Sequence, residues 1–197
     1  MGKTSKTSPP DIYARRFHAR DKAGLRILPR VICRKPRHGD VHPLSAEDVR
    51  NVLHMVPPSY VYGVRTVELR ARTRAVGEPF GLYQIDEKRV RLYSCPPSTW
   101  VFEGAEPVIG RYFASWGATV TTDARFPTRI VIDWPDRRRL WDVYLDTLLH
   151  ELGHHHTQYE ASRPRPATRW RNEDLADLHA GKVHSHLKRQ LAKRRSA

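Results

Sequence analysis

Apolar positions along the chain change period from segment to segment. After Pro43, Val49, Val52 and Leu53 recur at helical spacing behind Ser45, a candidate N-cap. Asp48 completes an S-x-x-D capping pattern, and Pro57-Pro58 stop the helix. Strand signals follow. Val64, Thr66, Val67 and Leu69 sit among β-branched residues, and Leu82–Ile85 and Val90–Tyr93 flank Asp86–Arg89 as the arms of a hairpin. Residues 128–134, TRIVIDW, predict a further strand closed by Pro135. Two helices finish the pattern, at about 136–157 and about 171–192, joined by the proline-rich Ser162–Ala167, which cannot be helical.

Composition restricts the class. The 197 residues are 39% hydrophobic and 28% charged, enough for one modest core. No stretch approaches the roughly 18 apolar residues of a spanning helix, and the N-terminus lacks the apolar core of a secretory signal, so no membrane role is expected. Two cysteines, Cys33 and Cys95, are too few for a disulfide framework and fit a reducing, cytoplasmic setting. The net charge of +14 is uneven: residues 1–40 hold 11 basic and 3 acidic residues, residues 163–197 hold 10 and 3, and the middle is near neutral. We read 1–40 as a basic, partly ordered arm able to lay one short strand on the body, 41–192 as the folded domain and 193–197 as a basic tail. Such ends suit non-specific nucleic-acid binding or simple solvation.

Chemistry concentrates in TLLHELGHHHTQYE. His150-Glu151-Leu152-Gly153-His154 is an H-E-x-x-H pattern. At about 100° per residue, Trp141, Leu145, Leu148, Leu149 and Leu152 share an arc of about 100°. His150 and His154 project from the opposite side, about 6 Å apart along the axis. Two imidazoles on one face suit a tetrahedral metal, and Glu151 on the flank can serve as a general base without being a ligand. A third ligand is expected from N172-E-D-L-A-D177: Glu173 faces the same way as Asp177 and Ala180, and the small residues Ala176 and Ala180 permit close helix approach. Asp177, one turn on, is placed to orient a ligand imidazole.

HELGH followed by NEDLAD, with eighteen residues between His154 and Glu173, resembles the gluzincin metallopeptidases, and the compact spacing is most similar to the small minigluzincins. The resemblance covers about 128–185. It implies one zinc per chain on His150, His154 and Glu173, with Glu151 as base and proton shuttle and Asn172 and Asp177 as supports. It also implies an α+β, zincin-like fold: a small, twisted, mostly antiparallel sheet packed on the active-site helix, with a C-terminal ligand helix. An edge strand would pair with the peptide substrate, Thr128–Trp134 being the first choice and the hairpin 82–94 the second. Family members place a Tyr or His over the metal as oxyanion stabiliser; the candidates are Tyr159 and His179, with His184 too far along its helix. The function implied is zinc-dependent peptide hydrolysis. The competing reading is a catalytically weak scaffold that binds a protein partner or nucleic acid through its basic ends. His155 and His156 read as helix-end histidines complementing the dipole, and Cys95 as a buried free thiol.

Overall fold

A computed structural model describes residues 28–73, 80–104, 107–123, 125–160 and 169–195. Residues 1–27 of the arm, the Ser162–Ala167 linker and residues 196–197 lie outside that set. The described residues form a mixed α+β structure with five helices and two small sheets. No described helix is long and apolar enough to cross a membrane.

Helix α1 (Ala46–Met55) starts where its cap dictates. The Asp48 amide donates to Ser45 Oγ at 3.0 Å, and the Ser45 amide donates back to Asp48 Oδ2 at 2.8 Å, so two otherwise orphaned N–H groups are satisfied reciprocally. Val49, Val52 and Leu53 are buried. Pro58 does more than stop this helix: it opens the single turn α2 (Pro58–Val61), where its missing N–H costs nothing.

Strands β1 (Arg30–Cys33), β2 (Thr66–Arg70), β3 (Gly81–Gln84) and β4 (Arg89–Tyr93) form the first sheet in the order β1-β2-β4-β3. Residues 30–33 of the segment read as an arm thus supply an edge strand, and Val41 bridges Cys95 just beyond it. β1 runs parallel to β2 and β2 parallel to β4, and only β3 is antiparallel to its neighbour. This corrects the expected mostly antiparallel sheet. A hairpin yields one antiparallel pair, but the β1–β2 connection passes through α1 and α2, and such a crossover returns the chain parallel. Val67, Leu69, Val90 and Leu92 point inward, all at most 1% exposed.

The second sheet holds β5 (Thr99–Phe102), β6 (Thr119–Asp123) and β7 (Phe126–Asp133) in the antiparallel order β5-β7-β6. Helix α3 (Pro107–Ser115) packs on β6 and β7. Phe80, Trp100, Phe113 and Trp134 interlock between the sheets, with neighbouring ring centroids 5.0–5.8 Å apart, edge-to-face or stacked as aromatic quadrupoles prefer. Because Ile130–Asp133 of β7 is paired on both sides, most of Thr128–Trp134 has no free edge, and the first choice of substrate-pairing strand is overturned. Of the two edge strands of the first sheet, β1 and β3, it is β3 that packs on the helix carrying His150 and His154.

Helix α4 (Arg137–Glu160) buries Leu140, Val143, Tyr144, Leu145, Leu148, Leu149 and Leu152. It packs against β3 and β4 on one side and against α5 (Arg169–Arg195) on the other. Ala176, Ala180, Val183 and Leu187 form the buried stripe of α5.

Candidate metal centre

With Leu148, Leu149 and Leu152 committed to the core, the helical period turns His150 and His154 to one outer face of α4, their rings 4.6 Å apart and nearly perpendicular. Helix α5 reaches this face because Gly153 has no side chain. A Cβ there would lie 2.7 Å from the Ala176 carbonyl oxygen and 3.1 Å from its Cα. Gly153 against Ala176 brings in Glu173, one turn before Ala176. Glu173 Oε2 stands 3.2 Å from His150 Nε2 and 3.5 Å from His154 Nε2. Donor atoms of His150, His154 and Glu173 all lie within 4.8 Å of one another, a group able to hold a metal ion.

The hydrogen-bond inventory shows what this group needs. His150 Nδ1 lies 2.7 Å from Asp177 Oδ1; a carboxylate only accepts, so Nδ1–H is the donor. A neutral His150 therefore presents a bare Nε2 lone pair to another acceptor, Glu173 Oε2. Two acceptors at 3.2 Å call for a cation between them, either a proton or a metal. Burial, followed by the proximity of His150, lowers the affinity of His154 for a proton, which favours the neutral, ligating form. Asp177 is largely exposed apart from this bond. Asn172 sits half-buried beside Glu173.

Glu151 is 7% exposed, and burial pushes its carboxyl up to about 7. Its pocket wall is β3. Gly81 leaves room for it, since a Cβ there would meet Glu151 Cγ at 3.0 Å and Thr147 Cγ2 at 2.6 Å. The Tyr83 backbone N–H donates to the Glu151 carboxylate. Tyr93 donates its amide to the Phe80 carbonyl, so the alternation of an antiparallel ladder turns Leu82 and Gln84 towards β4 for bonding. The backbone groups of Gly81 and Tyr83 are left on the open edge, where Glu151 sits.

His155 and His156 are not helix-end residues. Helix α4 continues to Glu160 and both rings are buried. His155 Nε2–H donates to the Tyr62 carbonyl at 2.6 Å, leaving Nδ1 to accept from the Tyr83 hydroxyl at 2.8 Å. Burial lowers His155 to about 4, so it is neutral and complements no dipole; it ties β3 and the segment after α2 to α4. His156 Nδ1–H donates to the Ser59 carbonyl at 3.3 Å, and its ring stacks on Tyr60 at 4.0 Å.

His179, an oxyanion candidate, is turned towards α2: its Nδ1 is 2.9 Å from the Tyr60 hydroxyl and its ring 4.6 Å from that of His156. The Tyr159 side chain lies outside the described residues. His184 lies 3.8 Å from Asp146 instead. Cys95 is a buried free thiol beside Tyr144, pushed up to about 12 by burial.

Sequence reasoning passed over Gly81, Tyr83 and Gly153. Gly153 did carry a signal: a glycine inside a helix costs roughly 1 kcal/mol against alanine and asks for a packing reason. Comparison with protein-family models, with curated proteins and with solved structures finds no match to this chain.

Proposed function

We propose that the protein is a zinc-dependent metallopeptidase of gluzincin type with a zincin-like fold. One juxtaposition carries the reading: three metal-ligating side chains converge where α4 meets α5, beside a buried carboxyl that borders an open strand edge. The donor set suits zinc. Tetrahedral bonds of ~2.1 Å place neighbouring ligand atoms ~3.4 Å apart, and Glu173 Oε2 stands 3.2 and 3.5 Å from the two imidazole nitrogens. Two imidazoles and one carboxylate also match the borderline softness of that ion.

In this reading His150, His154 and Glu173 hold the metal and Asp177 fixes the tautomer of His150. Zinc, when bound, supplies Lewis acidity for a scissile carbonyl and for water. Glu151 takes a proton from the attacking water and returns it to the leaving amine. A carboxyl near 7 can do both at neutral pH, because neither protonation state is far from equilibrium. An extended peptide pairs with the Gly81 and Tyr83 backbone on the β3 edge, so affinity comes from main-chain bonds and sequence preference is weak. The two free cysteines, one exposed and one buried, support a cytoplasmic setting.

The experiment is a metal analysis followed by casein digestion. The protein purified without chelator should hold one zinc per chain and cleave unfolded casein, and a chelator should stop cleavage. Glu173→Ala should lose most of the zinc, whereas Glu151→Gln should keep it and lose hydrolysis. Zinc retention by Glu173→Ala refutes the ligand set. Zinc without Glu151-dependent cleavage leaves the scaffold reading in its place.

A further inference from the structure

We propose that the outer face of the four-stranded sheet binds the phosphodiester backbone of a nucleic acid. Strand alternation sorts the sheet into two faces. Gly81 and Tyr83 touch α4, through Glu151 and His155 respectively, and share the inner face with Val67, Leu69, Val90 and Leu92. The alternate positions form the other face. In register, Arg30 stands beside Thr66 and Arg89, Ile32 beside Glu68 and Arg91, and Arg70 beside Tyr93. Arg34, following β1, reaches Glu68 on the same side. Four arginines at described strand positions of this face, with Arg34 just beyond β1, surround a single strand acid, Glu68.

That acid does not balance the cluster. Glu68 is 6% exposed, and its carboxylate meets Arg34, Arg89 and Arg91, each at 3.5 Å. At that length a charge-assisted bond is poorly formed, and Arg89 Nε, Arg91 Nε and Glu68 Oε2 lack hydrogen-bond partners. Arg89 is also held by Glu87 Oε2 at 2.8 Å, so two carboxylates serve three guanidiniums, while Arg30 and Arg70 are exposed beyond them. Arg72 is different, since Asp40 takes it up at 2.8 Å. Arg30 and Arg70 are separated by about 13 Å along the strands and Arg30 and Arg89 by about 10 Å across them. A duplex carries one charge per ~1.7 Å of axis, so a face of this size meets several phosphates at once. Guanidinium forks match phosphate oxygens. Tyr93 is buried and offers no stacking platform, so the contact reads backbone and not bases. Because the face lies across the sheet from Glu151, a bound nucleic acid leaves the metal centre uncovered.

The test uses the full chain and fluorescence anisotropy with a labelled 20-base-pair duplex across a salt series. Arg30→Gln/Arg34→Gln/Arg70→Gln removes three exposed charges and spares the buried Arg89–Glu68–Arg91 contacts; unchanged circular dichroism and melting confirm the fold. A matched variant, Arg15→Gln/Arg16→Gln/Arg20→Gln, removes three charges from the N-terminal region. We expect the sheet variant to flatten the log K against log salt slope by about 2 to 3, at ~0.9 per phosphate contact, and to weaken binding at least tenfold at low salt. Binding by the sheet variant equal to wild type, with loss only in the N-terminal variant, overturns the proposal. So does tighter binding of polyglutamate than of the duplex, since the face would then be an acidic-protein site.

Discussion

Replacing Gly153 by alanine sets two effects against each other. Intrinsic helix propensity favours alanine by about 1 kcal/mol in mid-helix. The added Cβ, however, would lie 2.7 Å from the Ala176 carbonyl oxygen, 3.1 Å from Ala176 Cα and 3.2 Å from His179 Cβ. None of these is the end of a flexible side chain, so α4 and α5 must part by roughly 0.7 Å to restore ordinary van der Waals separation. Overpacking of this kind costs about 1–3 kcal/mol, leaving a net loss of about 0–2 kcal/mol in metal-free stability. The effect on metal binding is larger in proportion. Ligand distances tolerate only about ±0.2 Å, and the helix being displaced carries Glu173. Zinc affinity should fall at least tenfold although every ligand remains. Gly181→Ala is the control: it lies on the same helix as Glu173, and a Cβ there meets nothing within 4 Å. It should melt higher than wild type and bind zinc equally well. Competition against a chromophoric chelator gives the affinities, and thermal melts of metal-free protein give the stabilities. If Gly153→Ala binds zinc like wild type and melts higher, the close approach of the two helices does not position Glu173.

Glu151→Gln should stabilise the metal-free protein in a pH-dependent way. The folded carboxyl at about 7, against 4.5 in the free residue, makes a contribution that is complete below pH 4.5 and is lost as pH rises through 7; urea melts should show an advantage for the glutamine variant of about 3 kcal/mol at pH 8, and a pH-independent difference would contradict the burial of Glu151. Ser45→Ala removes the capping box and should cost about 1 kcal/mol, lowering Tm by about 2–4 °C without altering zinc content. A thiol reagent should label one cysteine, the exposed Cys33, in the native protein and both after denaturation, because Cys95 is buried with its thiol near 12; rapid native labelling of Cys95 would contradict that environment.

What could be read from the sequence was what depends on local spacing. The Ser45–Asp48 cap is a three-residue signal, and the phase that turns His150 and His154 away from Leu148, Leu149 and Leu152 is the 3.6-residue period itself. Where partners are distant, spacing says nothing. His155 bonds a carbonyl 93 residues away and a hydroxyl 72 residues away, so its sequence position near a helix end suggested a charge complementing the dipole, which its buried, neutral state overturns. Likewise TRIVIDW reads as a strand, but nothing in seven residues reveals that strands from both flanks cover its edges. β5, α3 and β6 escaped notice because each is short. Their burial comes from aromatics such as Trp100 and Phe113, which pack across sheets instead of repeating along the chain.

The metal donors and the base draw on chain segments very different in separation. His150, His154, Glu173 and Asp177 all belong to a helical hairpin, whereas the pocket of Glu151 is completed by Gly81 and Tyr83, about seventy residues upstream. Loop-closure entropy grows with the logarithm of separation, so bringing β3 to α4 costs about 1 kcal/mol more than closing the hairpin. Assembly is thereby ordered in time: the ligands can gather while the sheet is still incomplete, and such a half-folded chain would hold a metal without a desolvated base or a strand edge to receive substrate. On the proposed reading of the site, hydrolytic competence then arises last, when the sheet docks, and a chain that fails to dock it stays harmless to its neighbours.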